Sequence, residues 1–292
     1  MGLRHSSGAS GAPKVVKLVD NNNPPLKPEI ILQEMNSLIG LNDVKNLISE
    51  IHAYALIQKK REKERLCADP LALHMIFKGN PGTGKTTVAR ILAKLFKAMG
   101  VLSKGHLVEV ERADLVGEYI GHTAQKTREQ VRRAQGGILF IDEAYSLARG
   151  GEKDFGKESI DVLVRNMELN YQDTILILAG YNQEMEWFLR CNPGLCSRFP
   201  NIIAFSDYTI TELIQIGELM LKKRQYTLTF EAKEKLRLIL DEYIRRGNAI
   251  EGNARLVRNI VEKAIRKQAT RLVKRSRLTR QELMTLVPED LA

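Results

Sequence analysis

Three cysteines, Cys67, Cys191 and Cys196, are all that the 292 residues hold. Their odd number and non-metal spacing argue against a disulfide framework or a zinc ribbon, and reduced thiols in a cytoplasmic protein are the expectation. No apolar run approaches the ~20 residues that cross a bilayer, so no membrane span is expected. The opening residues lack the apolar core of a secretory signal. No internal repeat is visible. Aromatics make up only 6% of the chain, and none interleaves with the basic run from Arg255 to Arg277. Base stacking has no platform there. The apolar stripe Val257, Ile260, Val261, Ala264, Ile265, Leu272 and Val273 threads the same run. It reads as a helix with a solvated or inter-subunit face, and a nucleic-acid partner is the less favoured reading of the net charge of +10.

What is present is an ordinary globular composition, 43% hydrophobic and 27% charged, with a phosphate cradle in it. Gly79-Asn80-Pro81-Gly82-Thr83-Gly84-Lys85-Thr86, followed by Thr87, fits G-x-x-x-x-G-K-[ST]. The glycines let backbone N–H groups turn toward an anion. Lys85 can reach the outer phosphates, and the Thr86 hydroxyl can ligate Mg²⁺. The apolar run His74–Lys78 before the loop reads as a strand. Val88, Ile91, Leu92, Leu95 and Phe96 after it recur at helical spacing. Strand, loop and helix in that order are the setting that phosphate binding needs.

Further apolar runs at Leu107–Val110, Ile138–Ile141, Ile175–Ala179 and Ile202–Phe205 alternate with helical patterns. That alternation predicts an α/β fold, a parallel sheet flanked by helices on both faces. From about Glu29 a helical pattern continues to Arg65. After Ser206 the pattern is all helical, over Thr209–Arg224, Thr229–Arg246 and Gly252–Lys274. The expected organisation is a disordered tail over residues 1–30, a nucleotide-binding α/β domain over 31–205, and a smaller helical lid over 206–292.

Asp142 and Glu143 end the strand Ile138–Ile141. Beside a phosphate loop, Asp142 can hold the metal and Glu143 can orient and deprotonate the attacking water. Having Glu after Asp favours a hydrolase. Ile175–Ala179 ends in Gly180-Tyr181-Asn182, where a polar group would lie near the γ-phosphate. The residues alone do not choose between Tyr181 and Asn182, or between that role and a simple strand-end turn. Arg198, on the loop before the last strand, reads equally as a surface residue or as a finger for a neighbouring site. Arg255, opening the basic helix, could reach back to the γ-phosphate. Tyr119, Ile120 and Gly121 form a glycine-flanked aromatic loop that either grips a chain or plugs the core.

GNPGTGKTTVAR, ILFIDEAYSLARGGEKDFGKE, ILAGYNQEM, NPGLCSRFP and NARLVRN together resemble the AAA+ ATPases, and the CbxX/CfqX family in particular. The resemblance covers about residues 30–290. It implies ATP and Mg²⁺ as ligands, with Lys85, Glu143, Arg198 and Arg255 as catalytic groups and Thr86 and Asp142 on the metal. It implies Arg198 as an arginine finger, Arg255 as a second sensor with Arg258 as helper, and Tyr119-Ile120-Gly121 as a pore loop. Leu38-Ile39-Gly40 resembles the segment that lines the adenine pocket, and Asn182 joins the nucleotide-binding set. A hexameric ring acting on a protein substrate is the family expectation. The run VLSKGHLVEVERADLVGEYIGHTAQKTR tilts the role toward sporulation, with a Rubisco activase-type remodeller or a nucleic-acid motor as alternatives.

Overall fold

A computed structural model describes residues 15–16, 27–67, 73–119, 121–149, 155–169, 173–245 and 252–291. The elements run β1 (Val15–Val16), α1 (Pro28–Asn36), α2 (Asn42–Lys63), β2 (Met75–Gly79), α3 (Lys85–Ala98), β3 (Leu107–Val110), α4 (Arg112–Leu115), α5 (His122–Ala134) and β4 (Ile138–Ile141). A 3₁₀ segment at Ala144–Ala148 leads to α6 (Gly156–Leu169), β5 (Ile175–Gly180), α7 (Asn182–Cys191), α8 (Pro193–Cys196) and β6 (Asn201–Phe205). Then come α9 (Ile210–Lys223), β7 (Thr227–Leu228), α10 (Phe230–Arg245), α11 (Asn253–Leu272), α12 (Arg280–Met284) and β8 (Thr285–Leu286).

One sheet has the order β1-β3-β4-β5-β2-β6, parallel throughout except for the short β1 on its edge. Strand residues alternate between two cores, as the period of two requires. Phe77, Phe140 and Ile177 enter the core shared with α1, α2 and α3. Ile76, Leu139 and Leu176 enter the core shared with α5, α6 and α7. Burial on both faces is why these strands read as unbroken apolar runs. The strand order places the carboxyl end of β5 beside that of β2, where the phosphate loop begins, with β4 on the far side of β5. A third core, with Leu213, Leu236, Val257 and Val261, belongs to α9, α10 and α11. Among the described residues no helix is long and apolar enough to cross a membrane.

Two local differences from the sequence reading have clear causes. The helical pattern from Glu29 to Arg65 is two helices, because Gly40 and Leu41 both take positive φ, +63° and +58°. Two left-handed residues in succession cannot continue a right-handed helix. Within residues 1–30, Val15–Val16 pairs antiparallel with Leu107 and Val108, and Pro28 opens α1, a position its fixed φ suits. The rest of residues 1–26 lies outside the described residues.

Candidate active site

The chain leaves β2 through Gly79 and turns twice through left-handed glycines, Gly82 at φ +75° and Gly84 at φ +100°. α3 begins directly at Lys85 with no side chain capping it. Its leading N–H groups therefore remain to receive an anion, with the helix dipole behind them. Lys85 Nζ donates to the carbonyls of Gly79 at 2.6 Å and Asn80 at 2.9 Å. Burial lowers the Lys85 pKa, an effect opposed by the Asp142 carboxylate. A phosphate beside it would favour the charged form in the same way.

Between the sheet and the lid lies a cleft of ≈ 690 Å³, within the size range of small-molecule sites, roughly 300–1,000 Å³. Gly82, Gly84, Lys85, Thr86 and Thr87 form its floor. Asp142, Glu143, Gly180 and Tyr181 form the wall at the strand ends, and Arg255 and Arg258 reach in from the first turns of α11. At the other end Leu38, Ile39, Leu41, Ile216, Leu219 and Met220 make an apolar slot. A flat heterocycle suits the slot and an anionic tail suits the floor. Thr86 and Asp142 supply oxygen donors, which fit a hard divalent cation whose remaining ligands come from phosphates and water. Among the described residues, no group of three or more His, Cys, Asp or Glu is arranged to hold a metal alone.

Lys85, Thr86, Thr87, Asp142, Glu143, Arg255, Pro81, Gly82, Gly84 and Ile39 thus share one cleft. Asn80 and Thr83 do not line it. Asn80 turns its amide to Asp207, and Thr83 is buried with its hydroxyl donating to the Asn80 carbonyl at 2.7 Å. Gly40 lies next to the slot without lining it. Of the strand-end pair, Tyr181 lines the cleft; Asn182 does not, and begins α7 on the surface. Tyr181 stacks on Tyr145 with centroids 5.7 Å apart, and the Arg149 guanidinium lies 4.5 Å over the Tyr145 ring. Burial and then the Glu143 carboxylate raise the pKa of the Tyr181 hydroxyl, so it stays protonated and able to donate.

Arg198 is half-buried, donates to the Gly194 carbonyl at 2.6 Å, and is not among the residues lining this chain's cleft. Tyr119 is 66% exposed, its ring edge-on to His122. That exposure is incompatible with plugging the core. Gly121 takes φ +84° in open space, and Ile120 lies outside the described residues. A second cleft, of ≈ 660 Å³, shares Asp142, Glu143 and Arg255 with the first and extends past Arg112 and Ser146 to Glu118 and Lys126.

Sequence reasoning missed Tyr208, whose hydroxyl donates to the Thr83 carbonyl at 3.0 Å and whose pKa burial pushes up to about 12. It also missed the Arg90–Glu109 ion pair on the cleft rim, at 2.6 Å, and the lid's Ile216, Leu219 and Met220. Lone aromatics and helix-face aliphatics carry no local signature. Asn253 lay inside a quoted motif, NARLVRN, and its type could have drawn notice.

Comparison with known proteins accords with this geometry. Residues 75–207 match the family described as "ATPase family associated with various cellular activities (AAA)", and residues 209–292 match the AAA lid domain. Stage V sporulation protein K of Bacillus subtilis is 55% identical over 263 residues, 90% of this chain and 82% of that protein. The chloroplastic ribulose bisphosphate carboxylase/oxygenase activase of Cyanidioschyzon merolae is 46% identical, covering 87% of each chain. A solved variant of Thermotoga maritima RuvB superposes with a TM-score of 0.53 at 20% identity, over 85% of this chain and 70% of that one, and shares the fold. A nucleotide-shaped cleft at the end of a parallel sheet, closed by a lid of the matching family, makes this chain a member of the AAA+ ATPases, an enzyme that hydrolyses ATP.

Proposed function

We propose that copies of this chain form a closed ring, expected to be a hexamer, and use ATP hydrolysis to remodel a protein partner. Carrying this reading is one observation: Lys85, Thr86, Asp142, Glu143 and Arg255 share a cleft that Arg198 of the same chain does not line. A site complete but for one cation is what an arginine supplied by a neighbour would finish. Heterologous contacts that close on themselves generate a ring.

In this reading the base enters the slot at Ile39 and Met220, and the phosphates lie along the N–H groups of Gly82 to Thr87. Thr86 and Asp142 would hold Mg²⁺, which when bound offsets charge on the outer phosphates. Glu143 takes a proton from the attacking water. Lys85 and Arg255, with the neighbour's Arg198, offset charge that grows on the γ-phosphoryl oxygens. Tyr181, rather than Asn182, holds the sensor position at the end of β5. The exposed Tyr119 grips a polypeptide in the central pore, and Ile120 and Gly121 complete that loop.

Several basic residues of the lid are already paired, Arg271 with Asp290 at 2.9 Å, Arg275 with Glu282 at 2.5 Å and Arg224 with Glu262 at 3.4 Å. This self-neutralisation supports a protein partner over a nucleic acid. Its closer likeness to a sporulation protein than to a Rubisco activase favours a sporulation-related partner. All three cysteines are free and exposed, which suits the reducing cytoplasm.

In the test, Glu143→Gln is expected to retain ATP while turnover falls about 10²–10⁴-fold, as loss of a general base does. Rings so trapped should hold a protein that rings also carrying Tyr119→Ala release. Near-normal turnover by Glu143→Gln removes the base assignment. Equal retention by the Tyr119→Ala rings removes the pore assignment, and retention of DNA or RNA alone turns the reading to a nucleic-acid motor.

A further inference from the structure

We infer that Asn253, seconded by Tyr208, holds the phosphate loop from behind and so couples loop geometry to the lid, a positioning role in ATP binding and hydrolysis. The inference rests on the ATP site described above and adds to it the residues that join its two halves.

A phosphate loop aims successive N–H groups at its anion, so the intervening carbonyls face away and need donors of their own. Here three consecutive carbonyls find them outside the loop and its helix. The Pro81 oxygen receives Asn253 Nδ2 at 3.4 Å, the Gly82 oxygen the Ala254 N–H at 3.2 Å, and the Thr83 oxygen the Tyr208 hydroxyl at 3.0 Å. Asn253 and Ala254 open the lid helix α11; Tyr208 lies on the segment joining β6 to α9.

Asn253 uses both ends of its amide. Its Nδ2 donates to Asp207 Oδ1 at 2.8 Å, and its Oδ1 accepts the Tyr208 N–H at 3.0 Å. The Asp207 carboxylate also accepts from Asn80 Nδ2, at 3.0 and 2.9 Å. Loop residue Asn80, linker residue Asp207 and lid residue Asn253 are therefore one chain of hydrogen bonds. Asn253 is only 5% exposed and takes φ +34°. Asn tolerates positive φ better than most residues, and a residue held there is usually fixed by its surroundings. The fit is close on the loop side as well. A Cβ placed on Gly82 would lie 2.8 Å from the Gly252 oxygen and 2.9 Å from the Arg255 nitrogen. The first turn of α11 is seated on the loop, so Arg255, two residues beyond Asn253, moves with it.

The donor pattern dictates a test by exchange. Asn253→Asp keeps the size of the side chain but loses both Nδ2 donations and sets a carboxylate against Asp207. Asp207→Asn in the same chain restores a donor facing an acceptor. Binding of N-methylanthraniloyl-ATP, steady-state turnover and melting temperature are measured for the wild type, both single variants and the double variant. Asn253→Asp is expected to weaken nucleotide binding and turnover about tenfold or more, as loss of a hydrogen bond to a charged group does. The double variant should recover to within about threefold of the wild type, the cycle reporting the coupling of the pair. A double variant no better than Asn253→Asp, or an Asn253→Asp with unaltered binding and turnover, overturns the inference. If Asn253→Asp does not fold, Tyr208→Phe decides. Losing only the hydroxyl on Thr83, it should lower turnover several-fold while the melting temperature falls by only about 2–4 °C, and unchanged turnover overturns the inference. A wild type that fails to bind the analogue instead sinks the ATP-site reading on which this rests.

Discussion

Glu143 occupies the left-handed region, φ +48° and ψ +43°, where a non-glycine residue costs on the order of 1–3 kcal/mol. Its neighbours hold it there. Ser146 N–H donates to the Glu143 carbonyl at 2.8 Å, Arg112 donates to the Ser146 carbonyl at 2.5 Å, and Asp142 N–H donates to Val110 at 3.0 Å. In the mechanism proposed above, that strain sits at the residue that faces the attacking water. His74, which does not line the cleft, offers a cleaner measurement. It is 7% exposed, its Nδ1 accepts the Leu176 N–H at 3.0 Å, and burial lowers its pKa from 6.5 to about 4. Above pH 6.5 the ring is neutral in both native and unfolded chains, and stability does not depend on it. Below pH 6.5 the unfolded chain takes up a proton that the native chain refuses, so stability falls with pH until about pH 4. The loss approaches ~3 kcal/mol at the acid end. Urea unfolding at several pH values should show this limb, and His74→Gln should flatten it between pH 6.5 and 5, above most carboxylate titration. An unchanged slope in His74→Gln would assign the limb to other groups.

At the scale of elements, α9 shows how a local signal and a distant contact combine. Thr209 Oγ1 accepts the Glu212 N–H at 3.3 Å, and the Glu212 carboxylate accepts the Thr209 N–H at 2.8 Å, a reciprocal cap. Thr209→Ala should cost ~1 kcal/mol, read as a lower urea midpoint at unchanged slope; no shift would mean the cap adds nothing beyond tertiary packing. The capping pattern and the apolar spacing of α9 are local, and its sequence-read span, Thr209–Arg224, differs from Ile210–Lys223 by one residue at each end. The strands were legible for the same reason, since burial on both faces leaves Ile138–Ile141 no polar position. The break at Gly40-Leu41 was not, because Leu41 has no intrinsic liking for φ +58° and is placed there by packing. In the cleft, Lys85, Thr86, Asp142 and Glu143 were legible because their chemistry demands fixed types at fixed offsets. Tyr208, Asp207 and Asn253 were not. They meet the loop through contacts such as Asn80 to Asp207, 127 residues apart in sequence, which no local window spans.

At the scale of the whole molecule, where Arg198 acts is the question that the single chain poses most sharply. On its own chain the guanidinium donates to the Gly194 carbonyl and is outside the cleft, while Glu143 is inside it. If the ring is the working unit, each site takes Glu143 from one copy and Arg198 from the next. Glu143→Gln and Arg198→Ala chains should each be nearly inactive alone. Mixed in equal amounts and allowed to exchange, they place an intact Glu143 beside an intact Arg198 whenever an Arg198→Ala copy is followed by a Glu143→Gln copy in the correct order. Random assembly makes about a quarter of interfaces of that kind, so turnover should rise from near zero toward about a quarter of the wild-type rate. An arginine acting within its own chain predicts no recovery at any mixing ratio, because every copy then carries one lesion in its own site. The recovery should also vanish on dilution below the assembly concentration, since the restored sites exist only between chains. Recovery that survives dilution would point to residual activity in one variant and remove the neighbour-supplied arginine from the mechanism.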